Sequence, residues 1–278
     1  MKSKNSSILF IIPLALIVGM FFIVPLIYMV ISSFSSGGGF SIGQYKNVFT
    51  NAYIMQGFWN STKLSMVSAF IALVAALLGI YAMYSFSEKV REKILVIINL
   101  TSNFSGVPLA FAFIILLGNS GLFTIVMDNF GWDLNFSLYS WSGLLLIYIY
   151  FQLPLAIMLL YPIYYGIQQQ WKDAAKILGA STFTFWRKIG VPIIFPGIAG
   201  TFAILFANAM GAYASAYALT GSGVNLASIR IGTLLSGDIF AQPELASAIA
   251  VVLGAIMVIG MVCSEWFTKK TRKDLVKK

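Results

Sequence analysis

Few side chains in this sequence could do chemistry, and their placement narrows what that chemistry is. The chain has no His and a single Cys, Cys263, which excludes imidazole general bases, His metal sites and a disulfide framework. Its nine carboxylates are dispersed: Glu88, Glu92, Asp173, Glu265 and Asp274 fall at one set of boundaries between apolar runs, and Asp128, Asp133, Asp238 and Glu244 at the other. None is paired for acid–base work, so no catalytic residue and no metal ligand is assigned. No Gly-x-x-x-x-Gly-Lys-Ser/Thr segment is present to cradle phosphates. Two groups of functional candidates remain: uncharged polar residues embedded in apolar sequence, and a patterned stretch at 166–190.

The elements that must position them are membrane spans. Of 278 residues, 59% are hydrophobic and only 10% charged, against about 25% charged in soluble domains. About 20 apolar residues suffice to cross a hydrocarbon core, and six runs qualify: 8–31, 64–86, 94–117, 142–163, 191–219 and 245–263. The first is too long for a signal-peptide core and is kept as a helix. The net charge of +9 lies between these runs and belongs to a lipid surface, not to a nucleic-acid partner. Cytoplasmic flanks carry the positive excess. Fifteen of the 18 Lys and Arg residues fall at the N-terminus, in the second-to-third and fourth-to-fifth connections and in the C-terminal tail; Lys46, Lys63 and Arg230 are the other three. Both termini are therefore expected in the cytoplasm. The fold class is all-α, a polytopic membrane protein with six transmembrane helices in one domain, 1–278.

The third run is unusually polar, with Asn99, Thr101, Ser102, Asn103 and Ser105 before Gly106 and Pro108. Pro108 invites a kink whose freed carbonyls small polar side chains can satisfy. The fourth run sets Gln152 beside Pro154, and the fifth carries Asn208, Gly211, Tyr213, Ser215, Tyr217 and Thr220. Asn103, Gln152, Asn208, Tyr213 and Ser215 are the candidate lining of a polar passage; the competing account is that such residues hold helices together. The fifth run, at 29 residues, is too long for a plain crossing and should break near its outer end. A short re-entrant or scoop-like element is expected in the following loop, about 220–244.

Residues 166–190 read as a helical knob. A short helix over 170–178 places Ala174, Ile177 and Leu178 on one face, with Asp173 expected in its first turn, where a carboxylate suits the helix dipole. Gly179 supplies a left-handed stop. Ser181 or Thr182 can cap a second helix through Phe185, Trp186 and Ile189, and Pro192 stands where a new transmembrane helix should begin.

The stretch Asp173-Ala174-Ala175, Gly179-Ala180, Trp186, Ile189 and Val191-Pro192 resembles the EAA loop of permease subunits in binding-protein-dependent type I ABC importers. That pattern is Glu-Ala-Ala, three residues, Gly-Ala, five, Phe, two, Ile, one, Leu-Pro. Every spacing matches; Asp173, Trp186 and Val191 replace Glu, Phe and Leu. Gly211-Ala212-Tyr213 through Thr220-Gly221, and 246–251, are similar to segments of permeases for polyamines, ferric iron, thiamine and phosphonates. The resemblance implies a MetI-like permease fold in the bacterial plasma membrane. It implies a coupling element at Asp173, Ala174, Ala175, Ile177, Leu178, Gly179 and Ala180. The partners it implies are an ATPase dimer carrying ATP and Mg, a second permease subunit and an external solute-binding protein; no cofactor is expected on this chain. The rival classes are an ion-coupled secondary carrier and a passive channel, and the lack of a charged midplane disfavours the first.

Overall fold

The computed structural model describes residues 13–36, 39–131, 136–236 and 240–276; Lys2, Lys4, Lys277 and Lys278 of the charge argument, with Asp133 and Asp238, lie outside them. Helices joined by turns and loops make up the described residues, and the only strands among them are a two-residue antiparallel pair, β1 (Ser35–Ser36) with β2 (Gly39–Phe40). The helices in order are α1 (Pro13–Ser33), α2 (Gly43–Thr50), α3 (Ala52–Met83), α4 (Glu88–Ser102), α5 (Val107–Leu117) and α6 (Leu122–Asn129). They continue with α7 (Trp141–Tyr165), α8 (Gln169–Ile177), α9 (Thr182–Met210), α10 (Tyr213–Thr220), α11 (Ala227–Ser236) and α12 (Pro243–Val276).

Among the described residues six stretches are long and apolar enough to cross a membrane: α1, α3, residues Val107–Asn129, α7, α9 and Pro243–Lys269 of α12. Six runs were expected, but the third differs. The run 94–117 is not one span: the chain breaks between α4 and α5, and the crossing candidate begins at Val107. The reason is local. Gly106 takes φ 72°, a left-handed conformation open to Gly, and Pro108 sits in the first turn of α5, where a missing N–H costs nothing. The carbonyls freed at the end of α4 are taken up by side chains: Thr101 Oγ1 donates to Ile98 O, and Ser102 Oγ and Asn103 Nδ2 both donate to Asn99 O.

Other boundaries also move. The second span is extended backwards to Ala52, where Asn51 Oδ1 accepts from the backbone N–H of Tyr53 and Ile54, an N-cap that hydropathy does not register. The fifth run breaks at Gly211–Ala212, as its length required, but its start lies at Thr182 and not at Val191. The α-helical part does begin at Val191 with Pro192 in its first turn, where a missing N–H costs nothing, but a wide π-type turn over Trp186–Gly190 runs into it without a break. The loop expected to form a scoop carries α11.

Three apolar clusters hold the bundle. Leu64, Leu144, Ile147, Tyr148, Leu109 and Ala216 join α3, α7, α5 and α10. Ala69, Leu73, Ala76, Ala156, Leu160 and Leu205 join α3, α7 and α9. Phe206, Met210, Leu245, Ala246, Ile249 and Leu253 pack α9 on α12. Small residues at the crossings let backbones approach closely, the usual basis of helix association in lipid. The loop before α11 is tied to α3 by Asn60 Nδ2 donating to Asn225 O (3.0 Å), Asn225 Nδ2 to Tyr53 O (2.7 Å) and Ala227 N to Ser61 Oγ (2.9 Å).

Candidate translocation cavity and coupling knob

The two interrupted runs break opposite one another. Ser215 Oγ, at the start of α10, donates to Gly106 O at 3.2 Å, and Tyr148 Oη of α7 donates to Ala212 O at 2.8 Å. Irregular backbone in a membrane domain needs partners from within the protein or a wet cavity, and here each break receives a side-chain donor. Between the breaks lies an open cavity of about 960 Å³. Asn103, Asn208, Tyr213 and Ser215 all line it, with Ser102, Ser105, Phe151, Met257 and Met261. No lining residue is charged. The chemistry on offer is hydrogen bonding by amides and hydroxyls, plus the face of Tyr213. That ring stacks on Tyr217 at 5.2 Å and 20° and leans on Gly232, where an added Cβ would come within 2.6 Å of it.

Gln152 is not in the cavity. It is fully buried between α7 and α3, its Nε2 donating to Ser68 Oγ at 2.7 Å. Of the two roles open to such residues, its geometry is that of a helix–helix bond. Tyr148 was missed altogether, because its partner is a backbone carbonyl 64 residues away. A second, smaller cavity of about 380 Å³ lies at α11 among Tyr53, Asn225, Thr233 and Gln242. The Arg230 guanidinium stands 5.1 Å from the Tyr53 ring there.

The knob forms as α8 and the first turns of α9. At its tip Ala180 N donates to Ala175 O and Gly179 N to Lys176 O, both at 2.9 Å, with Gly179 at φ 77°. This pair of bonds is a Schellman cap. Its apolar seal is Ala180 against the cluster of Ala175, Ile167, Phe185 and Ile194. Ser181 is the cap of the next turn, accepting from Thr184 N at 3.1 Å. Ala174 is exposed, and Ile177 and Leu178 are 87% and 85% exposed, so the apolar face stands clear of the bundle while Ala175 anchors its back. Asp173 is not in the first turn: α8 begins at Gln169, and the carboxylate instead accepts from Gln169 Nε2 at 3.1 Å. Trp186, where the loop pattern has Phe, stacks on Tyr164 at 5.4 Å and fills the space left by Gly190.

A helical bundle with six apolar crossings, an uncharged cavity of mixed polar and apolar lining between two broken helices, and a projecting cap defines a multi-pass membrane transport subunit. The chain belongs to the family described as the binding-protein-dependent transport system inner membrane component, whose pattern matches residues 75–273, and it has the MetI-like ABC permease fold. Among curated proteins it is similar to the spermidine/putrescine transport system permease protein PotC of Escherichia coli K12, 25% identical over 244 residues, covering 85% of this chain and 86% of PotC. It is also similar to the sulfate transport system permease protein CysW of the same organism, 22% identical over 214 residues, covering 77% of this chain and 71% of CysW. Among solved structures, a chain of the bacterial alginate ABC transporter in complex with its pentasaccharide-bound periplasmic protein superposes with a TM-score of 0.77 at 16% identity, covering 96% of each chain.

Proposed function

We propose that this chain forms half of the translocation pathway of an importer in the bacterial plasma membrane, with a second permease, identical or related, supplying the other half. A solute-binding protein outside delivers the solute, and an ATPase dimer inside, carrying ATP and Mg, drives the cycle. The observation that carries the reading is the knob: Ala174, Ile177 and Leu178 are presented to solvent on a helix whose end is locked by Gly179. Exposed aliphatic side chains on a rigid cap suit a cleft in a partner. Closure of the ATPases would draw two such knobs together and open the cavity outward; hydrolysis would reverse it. Nucleotide can bias these states only through its differential free energy for them, so the knob must be stiff.

The solute is proposed to be a polyamine, following the likeness to PotC, with iron, thiamine or phosphonate as the alternatives. The uncharged cavity lining agrees with a pathway that lets a charged solute pass without trapping it, while the likeness to a sulfate permease shows that relatives at this distance differ even in the sign of the solute. The deciding experiment is purification of the tagged chain from its own membranes. An ATPase and a second permease should co-purify, and labelled spermidine uptake in vesicles should need ATP and the external binding protein. Isolation without an ATPase would refute the reading, and ATP-driven uptake of another solute would refute the polyamine alone.

A further inference from the structure

The back of the knob touches the membrane-spanning body in few places, and one of them lies outside the loop pattern. Over residues 169–178 Ala175 alone is buried and Lys172 alone is half-buried; the rest are exposed. Three residues before Ala175, Lys172 turns back towards the bundle. Its Nζ lies 4.1 Å from the centre of the Tyr84 ring and 5.5 Å from that of Trp186. Tyr84 directly follows α3 and donates its hydroxyl to Gln169 Oε1 of α8 at 2.5 Å. Trp186, in the π-type turn of α9, is held from behind by Tyr164 of α7. Lys176 lines the same cleft of about 200 Å³ and no carboxylate does; the one salt bridge among the described residues, Lys269 with Glu265, is on α12. An ammonium group is thus held by the faces of two aromatic rings from two different helices, without a counter-charge.

We infer that Lys172, boxed between Tyr84 and Trp186, is the positioning residue that carries a displacement of the knob into α3 and α9. The inference rests on the reading of α8 as the element that docks on the ATPase. Both connections of α8 to the body are short turns, at 166–168 and 178–181, and rotation of α8 about them is resisted by Ala175, by Gln169 and by this box. Tyr84 lies at the end of α3, which runs beside α7 and α9 through the bundle; Asn208 on α9 lines the cavity. A push on Ile177 and Leu178 therefore reaches the cavity walls through Lys172.

The test needs no knowledge of the solute. In the complex purified with its ATPase, lacking Cys263 and carrying Asn208→Cys, the rate of labelling by a membrane-impermeant maleimide is compared before and after trapping with ATP and vanadate. With Lys172 present, trapping should change the rate about tenfold. Lys172→Met and Tyr84→Leu should cut that response about fivefold, equivalent to about 1 kcal/mol of coupling, with the ATPase still bound and still hydrolysing. Lys172→Arg, which keeps the cation, should respond as the parent does, and Tyr84→Phe, which keeps the ring but loses the hydrogen bond to Gln169, should keep more than half of the response. Adding Lys172→Met to Tyr84→Leu should cost less than Lys172→Met costs in the parent, because the contact between Lys172 and the Tyr84 ring can be lost only once. A full response in Lys172→Met, no response in the parent, or ATPase binding lost in step with the response would each overturn the proposal. Leu178→Asp separates the underlying reading: if the ATPase still associates with it, the docking role of α8 falls, whatever Lys172 does.

Discussion

Replacing Gly179 with Val tests the knob most directly. Gly179 sits at φ 77°, and a Cβ built there meets nothing within 4 Å. The penalty is therefore confined to the residue's own backbone, on the order of 1–2 kcal/mol for a β-branched side chain in the left-handed region. Two bonds depend on that conformation, Ala180 N to Ala175 O and Gly179 N to Lys176 O. Losing the cap frees the end of α8 on which Leu178 is displayed. Every 1.4 kcal/mol removed from the competent conformation lowers apparent affinity for the partner about tenfold. Gly179→Val should therefore weaken ATPase co-purification and ATP-dependent uptake about tenfold, leaving insertion intact because residue 179 precedes the apolar stretch. Gly179→Asn, which visits this region readily, should lose no more than about threefold. Leu178→Asp should exceed both, since burying one such aliphatic group is worth roughly 1.5–3 kcal/mol. Measured by titrating purified ATPase against the permease in nanodiscs, wild-type affinity in Gly179→Val with normal uptake would refute the argument, because the cap would then be dispensable.

On a Cys263-free background, single cysteines at Asn103, Asn208 and Tyr213 should react from water at least about tenfold faster than cysteines at Gln152 and Leu73; equal protection of all five removes the pathway assignment. A reporter fused after Lys278 should be active only in a cytoplasmic format, and activity of an exported reporter at that position would overturn the topology read from the charge bias. Gly143→Ala should sharply lower the melting temperature in detergent, because its Cβ would lie 1.9 Å from the Leu138 carbonyl oxygen, a backbone atom that cannot give way; overpacking of this kind costs typically 1–3 kcal/mol or more. An unchanged melting temperature would show that the turn before α7 is looser than the structure has it.

Much of the fold is written in short stretches of chain. A run of apolar residues demands a span wherever it occurs, because unpaired backbone is intolerable in hydrocarbon. The cap of α8 needed only Gly179 and its immediate neighbours, and Ser181 needed only Thr184. Where local signals competed, the sequence reading slipped. Run 94–117 looked continuous by hydropathy, although Gly106 and Pro108 end one helix and start another. Pro192 does stand in the first turn of an α-helix, but the π-type turn before it joins that helix to the turn from Thr182, a continuity that hydropathy and Pro placement do not register. Spacing alone puts Asp173 in the first turn of its helix, but the helix starts one residue earlier, at Gln169, and leaves the carboxylate beyond it.

What composition and spacing decided by themselves is the solvent, the helical class, the existence of a projecting knob and the stock of polar residues that could line a path. Which of those residues face one another was decided by tertiary structure. Asn103 and Asn208 share a cavity because Ser215 holds the break at Gly106 from 109 residues away, and Gln152 is withdrawn from it by Ser68, 84 residues away. Lys172 finds Tyr84 across a similar gap. Helices that are apolar all round, as α7 is, carry no periodic mark of which side turns inward. Their rotation about their own axes is set only when small residues, side-chain hydrogen bonds and ring faces on neighbouring helices come together, and that information is spread over the whole chain.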